Sequence, residues 1–161
     1  MNIAAVVAEY NPFHLGHEYM LNEVRAAGAD GIIAVMSGNF VQRGDCAVAD
    51  KRARTKAALL CGVDLVLELP LIYAAAGAQR FAGGAAEIIR ACGCVDTIVF
   101  GSECGDAELI ARTAKLVGSD ILGERLRPYL DSGMTFAAAR QKALCDIDKA
   151  ASELLGGAND T

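Results

Sequence analysis

Ala8-Glu9-Tyr10-Asn11-Pro12-Phe13-His14-Leu15-Gly16-His17 follows an apolar run, Ile3 to Val7, and holds both histidines of the chain. The run has the length and composition of a strand covered on both faces. The Asn11-Pro12 pair breaks it, and Leu15, Tyr19, Met20, Val24 and Ala27 then recur near helical spacing, with Gly28 as the stop. A polar, jointed turn between a first buried strand and a helix is where an open α/β sheet receives a ligand. Histidines, and backbone N–H groups at a helix N-terminus, are means of holding phosphate. The stretch therefore reads as the seat of a nucleotide.

Outward from this turn the same alternation repeats. Gly31–Met36 is a second apolar strand and runs into the polar loop Ser37–Asp45. Asp50–Cys61 reads as a helix closed by Gly62, Leu65–Leu69 as a third strand stopped by Pro70, about Phe81–Ala91 as a helix, and Thr97–Phe100 as a fourth strand leaving through Gly101-Ser102-Glu103. From Asp106 the pattern is helical: Asp106–Val117, Ser119–Leu130, Phe136–Leu144 and Ile147–Leu155, punctuated by Gly118 and Gly133. Strands alternating with helices imply a parallel sheet with crossovers. The expectation is an α/β, three-layer fold in a single domain over 1–161, with an α/β core to about residue 117 and a helical extension over 118–161. The ending Gly156-Gly157-Ala158-Asn159-Asp160-Thr161 reads as a cut inside a loop.

Composition narrows the function classes. The 161 residues carry a net charge of −5, which argues against a globally basic nucleic-acid binder but leaves room for a local basic patch. Hydrophobic residues make up 53% of the chain, but in short runs, none near the ~20 residues of a membrane span. With no signal peptide at the N-terminus, the expected setting is the cytoplasm. There the six cysteines (Cys46, Cys61, Cys92, Cys94, Cys104, Cys145) are reduced thiols, several of them buried small hydrophobes. Cys92-Gly93-Cys94 with Cys104 lacks the CxxC spacing of a metal site, so no metal ligands are assigned.

Several side chains at the strand ends are suited to phosphate chemistry. The first strand is not followed by GxGxxG, and GxxxxGK[ST] is absent, so two common nucleotide signatures are excluded. His14 and His17 flank Gly16; His17 falls in the first turn of the helix, where N–H groups are expected unpaired, and Gly16 leaves the backbone open to a phosphate. Arg43, with Asn39 and Gln42, offers a guanidinium fork for phosphate or acetate. Lys51, Arg52, Arg54 and Lys56 place four cations in the first two turns of one helix, against its dipole, which a nearby phosphate would offset. Lys51 and Arg54 are the expected contacts to ATP or an RNA backbone. Glu68 and Glu103 are candidates for orienting a histidine or holding Mg²⁺. The residues alone support ATP α-phosphate chemistry, and leave open a small-molecule adenylyltransferase or a nucleotide-binding module.

His14-Leu15-Gly16-His17 resembles the HxGH signature of the nucleotidyltransferase superfamily. With Glu9–Phe13, Met36-Ser37-Gly38-Asn39-Phe40-Val41-Gln42-Arg43-Gly44, Gly62-Val63-Asp64-Leu65-Val66-Leu67-Glu68-Leu69-Pro70 and Phe100-Gly101-Ser102-Glu103, it resembles the bacterial tRNA(Met) cytidine acetate ligase family from Ile3 to Asn159. The resemblance implies a Rossmann-like fold. It also implies ATP-dependent activation of acetate as acetyl-adenylate, with Mg²⁺, and acetyl transfer to N4 of the wobble cytidine of elongator tRNA(Met). It places ATP on Val7, Ala8, Glu9, Tyr10, Asn11, Pro12, Phe13, His14, Leu15, Gly16, His17, Glu18, Tyr19 and Met20, and on Gly101 and Asn159. From the residue reading above, His14, His17, Lys51 and Arg43 are expected to carry the chemistry. Leu15 stands where the family often has Asn. Family members continue past Asn159 with a further ATP-contacting basic residue and a C-terminal region that helps hold tRNA, so this chain corresponds to the N-terminal portion.

Overall fold

The computed structural model describes residues 1–102 and 104–156. Its first element, β1 (Ile3–Ala8), pairs in parallel with β2 (Gly31–Ser37), in register from Ile3 opposite Gly31 to Ala8 opposite Met36. β3 (Leu65–Leu69) adds beyond β2, and β4 (Thr97–Val99) adds on the other side of β1, giving the parallel order β3-β2-β1-β4. The chain thus builds outward from β1 to β3, then returns to the opposite flank. The reversal falls between β1 and β4, and in such sheets the crevice at the carboxyl ends of the strands at this switch point receives ligands. β1 is one of the two strands that flank that crevice.

The sheet is covered on both faces, and the alternation of side chains along a strand decides what each face receives. Ala4, Val6, Ile32, Ala34 and Met36 pack with Leu21 and Val24 of α1 (Leu15–Ala26) and Ala58 of α2 (Lys51–Leu60). Ala5, Val35 and Leu69 pack on the other side with Ala74 of α3 (Leu71–Ala74) and with Phe81, Ala85 and Ile89 of α4 (Ala78–Cys92). The expected three layers are present. The short α3, begun directly after Pro70, is an element that periodicity did not show, because four residues are too few to repeat a helical pattern.

The chain divides into two compact units, Met1–Phe100 and Gly101–Thr161. The first therefore ends at the last strand, not at about residue 117 as expected. The reason is visible in α5 (Ala107–Val117): its Leu116 joins the cluster of Leu122, Ala143 and Leu144, and its Arg112 pairs with Asp148 at 3.0 Å. That cluster is the core of the second unit, built from α5, α6 (Asp120–Asp131), α7 (Phe136–Ile147) and α8 (Lys149–Leu154).

The six cysteines are free, and none is buried: Cys61 and Cys92 are half-buried and the others exposed. This corrects the expectation of buried small hydrophobes, and the cause is position, since Cys61 follows α2 as its cap and Cys92 ends α4. Among the described residues, no helix is long and apolar enough to cross a membrane.

Candidate active site

The β1 exit is held in shape by its own residues. Tyr10 adopts a left-handed conformation (φ 47°), unusual for a bulky residue, and Asn11-Pro12 is cis. The Tyr10 ring is 1% exposed and packs on Phe13 (centroids 4.9 Å apart) and edge-on to His17 (4.9 Å). Burial, and secondarily the Cys61 thiol, push the Tyr10 phenol up to about 12, so it stays protonated. Its hydroxyl is buried without a hydrogen-bond partner. An orphaned buried donor opposes folding, so Tyr10→Phe is expected to leave stability unchanged or raise it by up to about 1 kcal/mol. A thermal melt below that of the parent chain would contradict this.

His14 is the N-cap of α1, and it and His17 cap each other. The Gly16 N–H donates to His14 Nδ1 at 3.1 Å, and the His14 N–H donates to His17 Nδ1 at 3.2 Å. The N–H groups of His17 and Glu18 donate to the His14 carbonyl, at 2.9 and 3.2 Å. The amides of Gly16, His17 and Glu18 are thus taken by His14. Gly16 matters for a different reason from the one expected: a Cβ there would meet the His14 ring at 3.1 Å, so the missing side chain makes room for the imidazole.

This capping assigns the protons. An imidazole whose Nδ1 accepts a hydrogen bond is neutral and carries its proton on Nε2. Both Nε2–H groups are therefore left as donors, on rings stacked 3.7 Å apart at 27°. The two rings are polar donors that this turn can offer an incoming phosphate.

Desolvation, and secondarily the charge His14 would carry, lower the His17 pKa below the ordinary 6.5. A folded-state pKa below the unfolded one stabilises the fold above the unfolded value and loses that contribution as pH falls through the folded value. Protonation would also turn Nδ1 from acceptor to donor and break the bond from the His14 N–H. In a histidine ¹H–¹³C NMR titration, His17 is expected to titrate below 6.5. A midpoint at or above that value would contradict the geometry.

The neighbouring strand exits are laced to this turn. Glu9 Oε1 accepts from the Gln42 N–H at 2.7 Å, and Asn11 Oδ1 accepts from the Val48 N–H at 2.7 Å. Arg54, 2% exposed, donates to the carbonyls of Glu9, Gly38 and Ala49, joining the exits of β1 and β2 to the segment before α2. Burial lowers its pKa, while Glu9 and Asp50 act in the opposite direction. Arg54 is therefore a brace between loops, which corrects its expected role as a contact to ATP or RNA. Sequence reading missed this brace because a buried arginine bonded to carbonyls has the same local pattern as a solvated one.

The expected site residues separate into two groups. Arg43 lies in the 3-10 turn Gln42–Gly44, exposed and left-handed (φ 68°), and the Glu9–Gln42 bond ties this turn to the β1 exit. Lys51 is paired within the protein: its Nζ meets both carboxylate oxygens of Glu68 at 2.8 and 2.7 Å, at the end of β3. Its charge is therefore met by Glu68 in the protein itself. The cationic start of α2 is balanced within the protein, by Glu68 and by the Asp50 cap, which accepts from the N–H groups of Arg52 and Ala53.

Val7 and Ala8 end β1, while Leu15 and Tyr19 are 80% and 66% exposed on α1, beside Glu18 and Met20. Gly101 opens the second unit; Asn159 and Glu103 lie outside the described residues. Among the described residues, no three His, Cys, Asp or Glu side chains converge to hold a metal ion. Glu9 accepts from the Gln42 N–H and Glu68 is paired with Lys51.

A parallel sheet with a histidine pair at the exit of its central strand defines a class, and comparison agrees. The HIGH Nucleotidyl Transferase family model matches residues 1–161, and the chain belongs to that family. The particular relatives it resembles are named tRNA(Met) cytidine acetate ligase. That of Clostridium tetani is 49% identical over 150 residues, which are 91% of this chain and 37% of the relative. That of Clostridium perfringens strain SM101 is 48% identical over 147 residues, 89% of this chain and 37% of the relative. The crystal structure of Thermotoga maritima TmcAL bound with alpha-thio ATP superposes with a TM-score of 0.93 at 43% identity, covering 99% of this chain and 41% of that one. The chain thus spans about two fifths of the length of the proteins it matches.

Proposed function

We propose that this chain binds ATP at the β1 exit and serves the reaction for which its relatives are named. Acetate oxygen attacks the ATP α-phosphorus, the bond to the β-phosphate oxygen breaks, and pyrophosphate leaves, forming acetyl-adenylate. The N4 amine of the wobble cytidine of elongator tRNA(Met) then attacks the acetyl carbon. AMP departs with the bonding pair, the amine loses a proton, and N4-acetylcytidine results.

The observation that carries this reading is the stacked pair of imidazoles with both Nδ1 atoms turned to the backbone and both Nε2–H groups left to donate. Neutral donors fixed before the substrate arrives stabilise charge that grows on the phosphate oxygens and need no reorganisation. One such donor contributes about 3–4 kcal/mol to a barrier. Arg43, on the turn that Glu9 ties to the same exit, supplies an exposed cation for the leaving pyrophosphate or for acetate. The remaining residues from Val7 to Met20 shape the ATP seat. Mg²⁺ arrives on the nucleotide phosphates, consistent with its preference for phosphates and water over protein cages. Enzyme and tRNA meet in the cytoplasm.

The test is ATP–pyrophosphate exchange, with and without acetate. Exchange that depends on acetate is the expected result. Adenylyl transfer to a phosphorylated small molecule, with no acetate dependence, would instead make the chain a small-molecule adenylyltransferase.

A further inference from the structure

At the carboxyl ends of β2 and β3, linked to the β1 exit through the Arg54 bonds to Glu9 and Gly38, lies a cavity of about 160 Å³ lined by Gly38, Asn39, Phe40, Lys51, Glu68 and Leu71, with Leu69 and Ala74 at its apolar wall. It is smaller than the ~300–1,000 Å³ typical of drug-sized ligands, and so suits a single ring. We propose that this cavity is the pocket for the target base, and that it selects cytosine over uracil. The proposal rests on the reading above, which calls for a base presenting an exocyclic amine.

The polar groups argue for a neutral ligand with a defined edge. Glu68 stands in the cavity held by Lys51, so an anion such as acetate or phosphate meets a fixed negative charge. A metal cation meets the Lys51 ammonium. A neutral ring meets both signs at once. Each carboxylate oxygen of Glu68 takes one bond from Lys51 and keeps a further lone pair for a ligand N–H. Lys51 retains a third donor. Asn39 uses its Oδ1 to accept from the Lys51 N–H at 2.9 Å, which leaves its amide nitrogen to donate.

The cavity therefore offers an acceptor beside two donors, flanked by the exposed ring of Phe40 and the exposed Leu71. Cytosine presents the complement: the N4 amine to Glu68, N3 and O2 to Asn39 and Lys51, and a flat face to Phe40. Acidic side chains accepting from cytosine N4 are a recognised pairing. Uracil would set O4 against the carboxylate and N3–H against a donor. A Cβ on Gly38 would lie 2.5 Å from Glu68 Oε1, so the glycine leaves room for the carboxylate in this position.

The test titrates the ¹⁵N-labelled chain with cytidine and, separately, with uridine, reading the amide resonances of Asn39, Phe40 and Leu71. Cytidine is expected to shift them, with uridine at least about tenfold weaker. Glu68→Gln, whose amide can donate as well as accept, is expected to remove the preference. Cytidine leaving these resonances unmoved up to its solubility limit, or uridine moving them equally in the parent chain, would overturn the proposal. If Glu68→Gln does not fold, the parent comparison decides alone. ATP added to the same sample reads the ATP seat separately through His14 and His17, so failure there is distinguishable from failure of the base pocket.

Discussion

Replacing Arg54 with Met is expected to cost about 3 kcal/mol of stability or more and to abolish ATP binding in whatever remains folded. Three carbonyls, those of Glu9, Gly38 and Ala49, take its guanidinium N–H groups in a buried position. Removing the donor leaves each carbonyl without its partner, and a buried unsatisfied group costs about 1–3 kcal/mol. The loss is not confined to stability, because the bonds to Glu9 and Gly38 join the ends of β1 and β2. Without them the left-handed Tyr10 and the histidine pair lose the loop that braces them. Arg54→Lys keeps the charge but not the fork that reaches several carbonyls, so it is expected to fall between parent and Arg54→Met. Urea denaturation with calorimetric ATP titration checks both variants. An Arg54→Met chain within about 1 kcal/mol of the parent would show that these bonds carry little.

His17→Ala is expected to lower acetate-dependent pyrophosphate exchange by two to three orders of magnitude, about the effect of one preorganised donor on a charged transition state. It removes one Nε2–H donor directly and disturbs the second, because His17 Nδ1 accepts from the His14 N–H and its ring stacks on that of His14. The cost in stability is smaller, on the order of 1 kcal/mol, for one exposed capping bond and a half-buried ring. The contrast with Arg54 is the informative part: Arg54→Met acts on folding and binding together, His17→Ala mainly on turnover. Exchange near the parent rate in His17→Ala would remove the histidine pair from the chemistry.

Much of the fold could be read from the chain because its signals are local. Ile3 to Val7 and Gly31 to Met36 are unbroken apolar runs, and they became the two central strands. Asp50, Asp106 and Ser119 each stand one residue before a helix and cap it, so the observed starts lie one residue inside those expected. The end of the first unit was not legible, because α5 has the same amphipathic pattern whether it packs on a sheet or on α6 and α8.

The site divided along the same line. The histidines and the turn between them were evident from residue type and position. Their mutual capping was not, since nothing in the spacing tells which ring atom faces the backbone. The pairings of Arg54 with three carbonyls and of Lys51 with Glu68 cross between segments, and a run of cations at the start of a helix does not reveal them.

The central claim is that ATP sits against the Nε2–H groups of His14 and His17 at the β1 exit, and a histidine NMR titration with MgATP tests it most directly. The account predicts that MgATP shifts the ring resonances of both histidines, with the amides of Gly16 and Gln42 moving along the same saturation curve. MgATP binding that leaves both rings unmoved, or that acts only on residues of the second unit, would contradict it.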